Sequence, residues 1–355
     1  MTTAFRLRQV WIVALLEARR AFFSKRALWV YLLALFPSII FIGHGIDVKL
    51  RQERWAAQGL TPAAVIDSFQ QGETDKQVLA RAGKPLSDRR WKRRHEDAGE
   101  YRVLAFFDGA RRIDLSFKNG VLDSKDVQPL ANFEEDRAVF AGMFQLFYLR
   151  LAVFFGCLGI FMNLFRGEMM AKTLHFWLLA PVRREVLLGG KYLAGLVAAS
   201  VIFTAGALLC YAAMLWTQNP TEVQAFWRDY GLSHALRYAA AAVLACVGYG
   251  SVFLAAGLLG RNPIIPAAVL LLWEGVSGFL PSMLQKVSVL YYVQALCPVP
   301  VPVDAGTSAL VRLFLSPAEP PSPALAVAGL LLLTGLVLWG ASRAVRKLEI
   351  NYSTE

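Results

Sequence analysis

The sequence predicts an all-α polytopic membrane protein of six transmembrane helices, preceded by an interfacial helix and carrying a small α+β domain on the outside. Three observations predict it. The chain is 56% hydrophobic with a mean hydropathy of +0.44, too apolar for a soluble surface around 355 residues. Six runs approach the roughly 20 apolar residues needed to cross a hydrocarbon core of about 30 Å. The basic residues that flank those runs fall on one side, as the positive-inside rule requires.

The opening stretch, residues 1–26, places Val10, Ile12, Val13, Leu16 and Phe23 close to one helical stripe with arginines on its flanks. That pattern describes a helix lying in the membrane interface on the cytoplasmic side. The alternative is an N-terminal extension of the first span. The first run, Ala27 to Gly45, starts too late and lacks the small-residue cleavage site of a secretory signal, so it reads as a transmembrane helix (27–45) that stays in the protein.

Residues 46–141 then form the outside domain. Thr61 followed by Pro62 supplies an N-cap and a first-turn proline for "AAVIDSF". The period then changes to that of strands: "YRVLAFF" and "RIDLSF" flank Asp108-Gly109, and Asn119-Gly120 follows, a repeated hairpin signal of the type I′ kind. The basic run Arg89 to Arg94 lies in this domain and reads as a solvated face; nucleic acid is not an expected partner. Long loops translocate regardless of charge, so the run does not contradict the topology.

The remaining spans, within residues 142–343, are Gly142 to Phe165, Tyr192 to Trp216, Leu236 to Leu259, Pro263 to Leu280 and Ala324 to Gly340. Between the fifth and sixth, residues 281–323 are too apolar for a free loop and too rich in proline for a span, which predicts short re-entrant or interfacial helices at the outer surface. A tail, 344–355, ends the chain. Arg6, Arg8, Arg19, Arg20, Arg166, Lys172, Arg183, Arg184, Arg261, Arg343 and Arg346 all fall on one side of these six spans, placing both termini in the cytoplasm.

Chemistry in this chain is disfavoured. The sequence has no G-x-x-x-x-G-K-[ST], no H-E-x-x-H and no G-x-S-x-G, its four histidines are far apart, and its four cysteines have no metal spacing. No catalytic, cofactor-binding or metal-binding residue is predicted. Two charges do fall inside spans. Arg150 and Glu274 each sit roughly 10–12 Å below the outer surface at about 1.5 Å per residue. An intramembrane ionisable group faces a bundle interior or a cavity, so a pair that fixes these two helices or lines a path is one reading. The others are an Arg150 that snorkels to headgroups and a Glu274 that is protonated or bonded to a hydroxyl such as Ser277.

The loop 166–191 holds the most unusual stretch, "EMMAKTLHFWLLAPVRREVLLGGK". Glu168 and Lys172 make an i,i+4 helical pair, and the next turn presents Leu174, Phe176, Trp177 and Leu178 before Pro181 interrupts the helix. Such a short helix offers aromatic and aliphatic anchors to a pocket on a partner. A belt of interfacial aromatics with topology-setting arginines is the physical alternative.

This stretch resembles the cytoplasmic loop of permease subunits of type-2 ABC exporters, the ABC-2 family, in which an acid, Thr-Leu, Leu-Leu, Pro-Val-x-Arg, an acid and Gly-Lys follow one another. Thr173, Leu174, Pro181, Val182, Arg184, Gly190 and Lys191 hold those places. The Leu-Leu pair falls one place late, with Trp177 in its first position; Glu185 comes one place early; Lys172 stands where a glycine is usual. The resemblance implies a coupling helix from Met169 to Leu179, with Glu168, Thr173, Leu174, Phe176, Trp177, Leu178, Pro181, Arg184 and Glu185 engaging a separate ATPase subunit. The interfacial helix would touch the same subunit. ATP and magnesium would reside on that partner, none in this chain, and two permease chains with two ATPase chains would form the unit in a bacterial inner membrane. The function implied is export of an amphipathic or lipid-like substrate; the alternative is relay of ATP-driven motion to an envelope protein through the outside domain, without movement of solute.

Overall fold

The computed structural model describes residues 3–23, 27–93, 99–170, 177, 179, 182–259, 264–277, 280–300 and 321–346. The chain divides into two compact units: Met1–Ile39, Arg137–Ala212 and Ala225–Glu355 form one, and Ile40–Asp136 with Ala213–Gln224 the other.

In chain order, α1 (Thr3–Phe23) precedes α2 (Ala27–Gln58), which continues well beyond the predicted end of the first span. A long helix follows: α5 (Phe133–Gly142), a π-helical stretch (Met143–Ala152) and α6 (Val153–Met170). Residues 63–129, between α2 and α5, belong to the second unit. Next come α7 (Arg184–Trp216), the short α8 (Pro220–Phe226), and, after a further π-helical turn, α9 (Leu232–Leu259). Then α10 (Ile264–Val276), α11 (Ser282–Gln285), α12 (Val289–Gln294) and α13 (Pro323–Arg346) complete the described chain.

Small residues let these helices approach. A Cβ on Gly206 of α7 would lie 2.6 Å from both the Ala34 carbonyl oxygen and the Tyr148 hydroxyl, so only glycine lets three helices meet there. Tyr148 donates to the Phe203 carbonyl at 2.6 Å, and Ser38 donates to the Gly206 carbonyl at 3.2 Å, consuming polar groups that lipid could not satisfy. The alanine-rich α9 is central, packing against α6, α12 and α13.

Five helices among the described residues are long and apolar enough to cross a membrane: Ala27–Gln58, Phe133–Met169, Arg184–Trp216, Pro220–Leu258 and Pro323–Arg346. In the fifth predicted run the described helix is Ile264–Val276, 13 residues, or about 20 Å, and residues 260–263 and 278–279 lie outside the described residues. The Ser277 hydroxyl donates to the Glu274 carbonyl at 3.0 Å.

The second unit is α+β, with bounds that differ from 46–141. Its four strands, β1 (Ser87–Arg93), β2 (Gly99–Phe107), β3 (Arg111–Lys118) and β4 (Val121–Pro129), form an antiparallel meander in sequence order. Alternate residues of β3, Ile113, Leu115 and Phe117, join Leu104, Phe106 and Leu122 to face Ile66 of α3 (Ala63–Asp67) and Val78 of α4 (Asp75–Ala82). Asn119 and Gly120 both take positive φ, 54° and 83°, the two-residue turn their sequence predicts. Asp108-Gly109 differs: the connection is three residues, and the Asp108 carboxylate accepts from the N–H groups of Ala110 at 2.9 Å and Arg111 at 2.6 Å. Thr61 is not the cap of α3. Pro62 stands there, because the Thr61 hydroxyl donates to the Ala82 carbonyl and its N–H to the Phe107 carbonyl.

Candidate functional site

The helix α1 is seated on the start of α7 through glycine. A Cβ at Gly190 would meet Val13 at 2.6 Å and the Val10 carbonyl oxygen at 3.0 Å, so the glycine is what admits the α1 backbone. The residue after it carries the charge. Lys191 is fully buried, and its ammonium lies 2.9 Å from the carboxylate of Glu17 on α1 and 2.9 Å from that of Glu168 at the end of α6. Arg20 stands 3.8 Å and 3.6 Å from the same two carboxylates, balancing the formal charge of the group. A buried lysine is costly to desolvate, and contact with two carboxylates offsets that cost.

Trp177 of the loop 166–191 reaches this joint. The Lys191 ammonium lies 5.3 Å from the Trp177 ring centroid and 5.4 Å from that of Phe165, within cation–π range. Trp177 also lines, with Phe5, Arg8, Ile12, Leu16 and Val182, an open groove of about 370 Å³ along α1. Leu179 is 80% exposed. Three elements distant in sequence, together with the loop, therefore converge on one ammonium group.

The two faces of α1 differ in burial. Val13, Ala14 and Glu17 are buried, whereas Phe5, Leu7, Trp11, Ile12, Leu15, Leu16 and Phe23 are exposed. The docked face follows the Gly190 contact, and the larger apolar side chains are left for other surroundings.

Of the other predicted coupling residues, Thr173, Leu174, Phe176, Leu178 and Pro181 lie outside the described residues, as does Lys172, the predicted partner of Glu168. Arg184 and Glu185 hold the end of α13. Arg184 donates to the Arg346 carbonyl at 2.9 Å and Val345 at 3.4 Å, and Glu185 pairs with Arg346 at 2.5 Å. An arginine on the last carbonyls of a helix satisfies orphan acceptors and complements the dipole.

Arg150 and Glu274 lie within electrostatic range, and no direct ion pair joins them among the described residues. The Glu274 carboxylate accepts instead from the Ser288 hydroxyl and from the Val289 N–H at 3.0 Å, capping α12. Two further polar contacts hold the same segment: Arg237 donates to the Leu296 carbonyl at 3.0 Å and Gln145 to the Val299 carbonyl at 2.7 Å. Sequence reasoning passed over Glu17, whose only signal was an acid in the middle of an apolar, basic helix.

Several long apolar helices define a multi-pass membrane protein. Residues 11–288 match the family described as ABC-2 family transporter protein, and the chain belongs to that family, whose members are membrane transport components and not themselves catalysts. The match takes in α1 from Trp11 onward, the second unit and the joint at Lys191. No curated protein matches the chain.

Proposed function

We propose that this chain is the permease subunit of an ATP-driven exporter, coupling ATP hydrolysis on a separate ATPase subunit to movement of an amphipathic or lipid-like substrate. ATP and magnesium reside on that partner. Two permease and two ATPase chains assemble in a bacterial inner membrane, each permease with six spans and both termini cytoplasmic. The observation that carries this reading is the Lys191 joint within a chain of the ABC-2 family. It links α1, the end of α6 and the start of α7 to Trp177 of the loop, so a push on the loop would move three helices together.

The test is to purify the chain with a candidate ATPase and measure complex formation and ATP hydrolysis. Leu179→Asp puts a charge on an exposed anchor without touching the joint. A stable complex that this variant loses supports the reading. Failure of the native chain to bind any ATPase encoded beside it would overturn it.

A further inference from the structure

The groove along α1 is bounded by side chains at helical spacing. Phe5, Arg8, Ile12 and Leu16 stand three or four positions apart and so share one face of the helix, and Trp177 and Val182 line the groove with them. From Phe5 to Leu16 the helix rises about 16 Å at 1.5 Å per residue. A volume of about 370 Å³ spread over that length is long and narrow, and it falls within the roughly 300–1,000 Å³ of small-molecule sites.

The lining is divided in character. Phe5, Ile12 and Leu16 are apolar and exposed, and polar side chains enter only at Arg8 and Gln9, towards one end of the groove. Arg8 is exposed and has no ion-pair partner among the described residues. Glu17, the one acid of α1, is buried and taken up by Lys191. An uncompensated arginine therefore stands at one end of an open apolar channel, on a helix whose exposed face mixes arginine with large apolar side chains. That combination belongs to a helix at a lipid interface.

We propose that this groove seats one acyl chain of an anionic phospholipid of the surrounding membrane, with Arg8 holding its phosphate. The guanidinium fork matches two phosphate oxygens. The hydrocarbon lies along Ile12, Leu16 and Trp177 and covers apolar area that would otherwise face water. Net negative charge selects the head, because a zwitterionic lipid brings its own cation beside Arg8 whereas an anionic one does not. An extended peptide fits less well: its backbone N–H and C=O groups would meet only Arg8 and Gln9 as polar partners along the whole groove.

This site is independent of the exporter reading, and the permease chain alone tests it. The full chain is purified in detergent and supplied with phosphatidylglycerol or phosphatidylcholine of the same acyl composition, and retained lipid is counted by native mass spectrometry. One phosphatidylglycerol per chain should be held, several-fold more than phosphatidylcholine. Arg8→Gln should remove most of that preference. Arg19→Gln deletes the same charge from another exposed position on α1, outside the groove, and should leave the preference intact. Ile12→Trp fills the channel and should lower retention of both lipids. Equal retention of the two lipids, equal losses in Arg8→Gln and Arg19→Gln, or a preference that survives Arg8→Gln would overturn the proposal. So would an Ile12→Trp variant that keeps its lipid but loses self-association or ATPase binding, which would assign the groove to a protein partner. Failure of lipid retention leaves ATPase coupling untouched, and loss of the ATPase complex leaves lipid retention untouched.

Discussion

Lys191 and Glu17 are 174 residues apart in sequence, yet the ammonium and carboxylate lie 2.9 Å apart in a buried setting. Removing the lysine leaves two carboxylates facing each other beside the exposed Arg20. Lys191→Met should therefore destabilise the first unit by roughly 3–5 kcal/mol, the cost of breaking a buried pair from one side. Thermal unfolding in detergent reads it. Adding Glu17→Gln should recover part of the loss; strictly additive losses would show that the two residues are not coupled.

Gly190 is the steric half of the same joint. Gly190→Ala puts a methyl group into Val13 and the Val10 carbonyl, and overpacking of this kind costs about 1–3 kcal/mol. Hydrogen exchange of α1 should accelerate. Gly43→Ala is the control: nothing lies within 4 Å of its Cβ position, so the helix should gain up to about 1 kcal/mol. Equal effects at the two glycines would refute the close seating of α1.

Apolar runs and turn residues were legible in the sequence because they act locally. Four of the six runs gave helices at least as long as the run, the second run became the π-helical stretch with α6, and Asn119-Gly120 gave its turn. Of the fifth run the described residues give the helix Ile264–Val276, and the residues that flank it lie outside them. Charge partners were the least legible. Glu168 meets Lys191, 23 positions further along the chain, and nothing local marks Glu17 as the third member. Arg150 and Glu274 were visible as expensive charges, whereas the Ser288 and Val289 donors that take up Glu274 come from a segment whose fold the sequence left open.

Arg184 and Glu185 were expected at the ATPase surface, and their contacts to α13 predict a separable structural effect. Arg184→Ala frees the carbonyls of Val345 and Arg346 and should cost about 1.5 kcal/mol, read as faster exchange in the last turn of α13. Glu185→Ala removes a largely exposed pair with Arg346 and should cost less than about 1 kcal/mol. An unchanged exchange profile in Arg184→Ala would return that residue to a purely interfacial role.

The second unit carries its own pH dependence. Arg102 donates to both oxygens of Asp88, at 2.9 Å and 2.7 Å, and that hydrogen bonding holds the Asp88 carboxyl at about 2, below its usual 3.8. A carboxyl depressed in the folded state contributes stability above its unfolded pKa and loses it as pH falls through the folded value. The contribution should thus be intact above pH 4 and disappear between pH 4 and about pH 2. Pulsed hydrogen exchange on β1 and β2 in the full chain should show protection falling across that window. Arg102→Ala removes the donor, lowers protection at neutral pH, and should flatten the acid dependence. A variant that keeps the native acid profile would show that the Asp88–Arg102 contact does not set it.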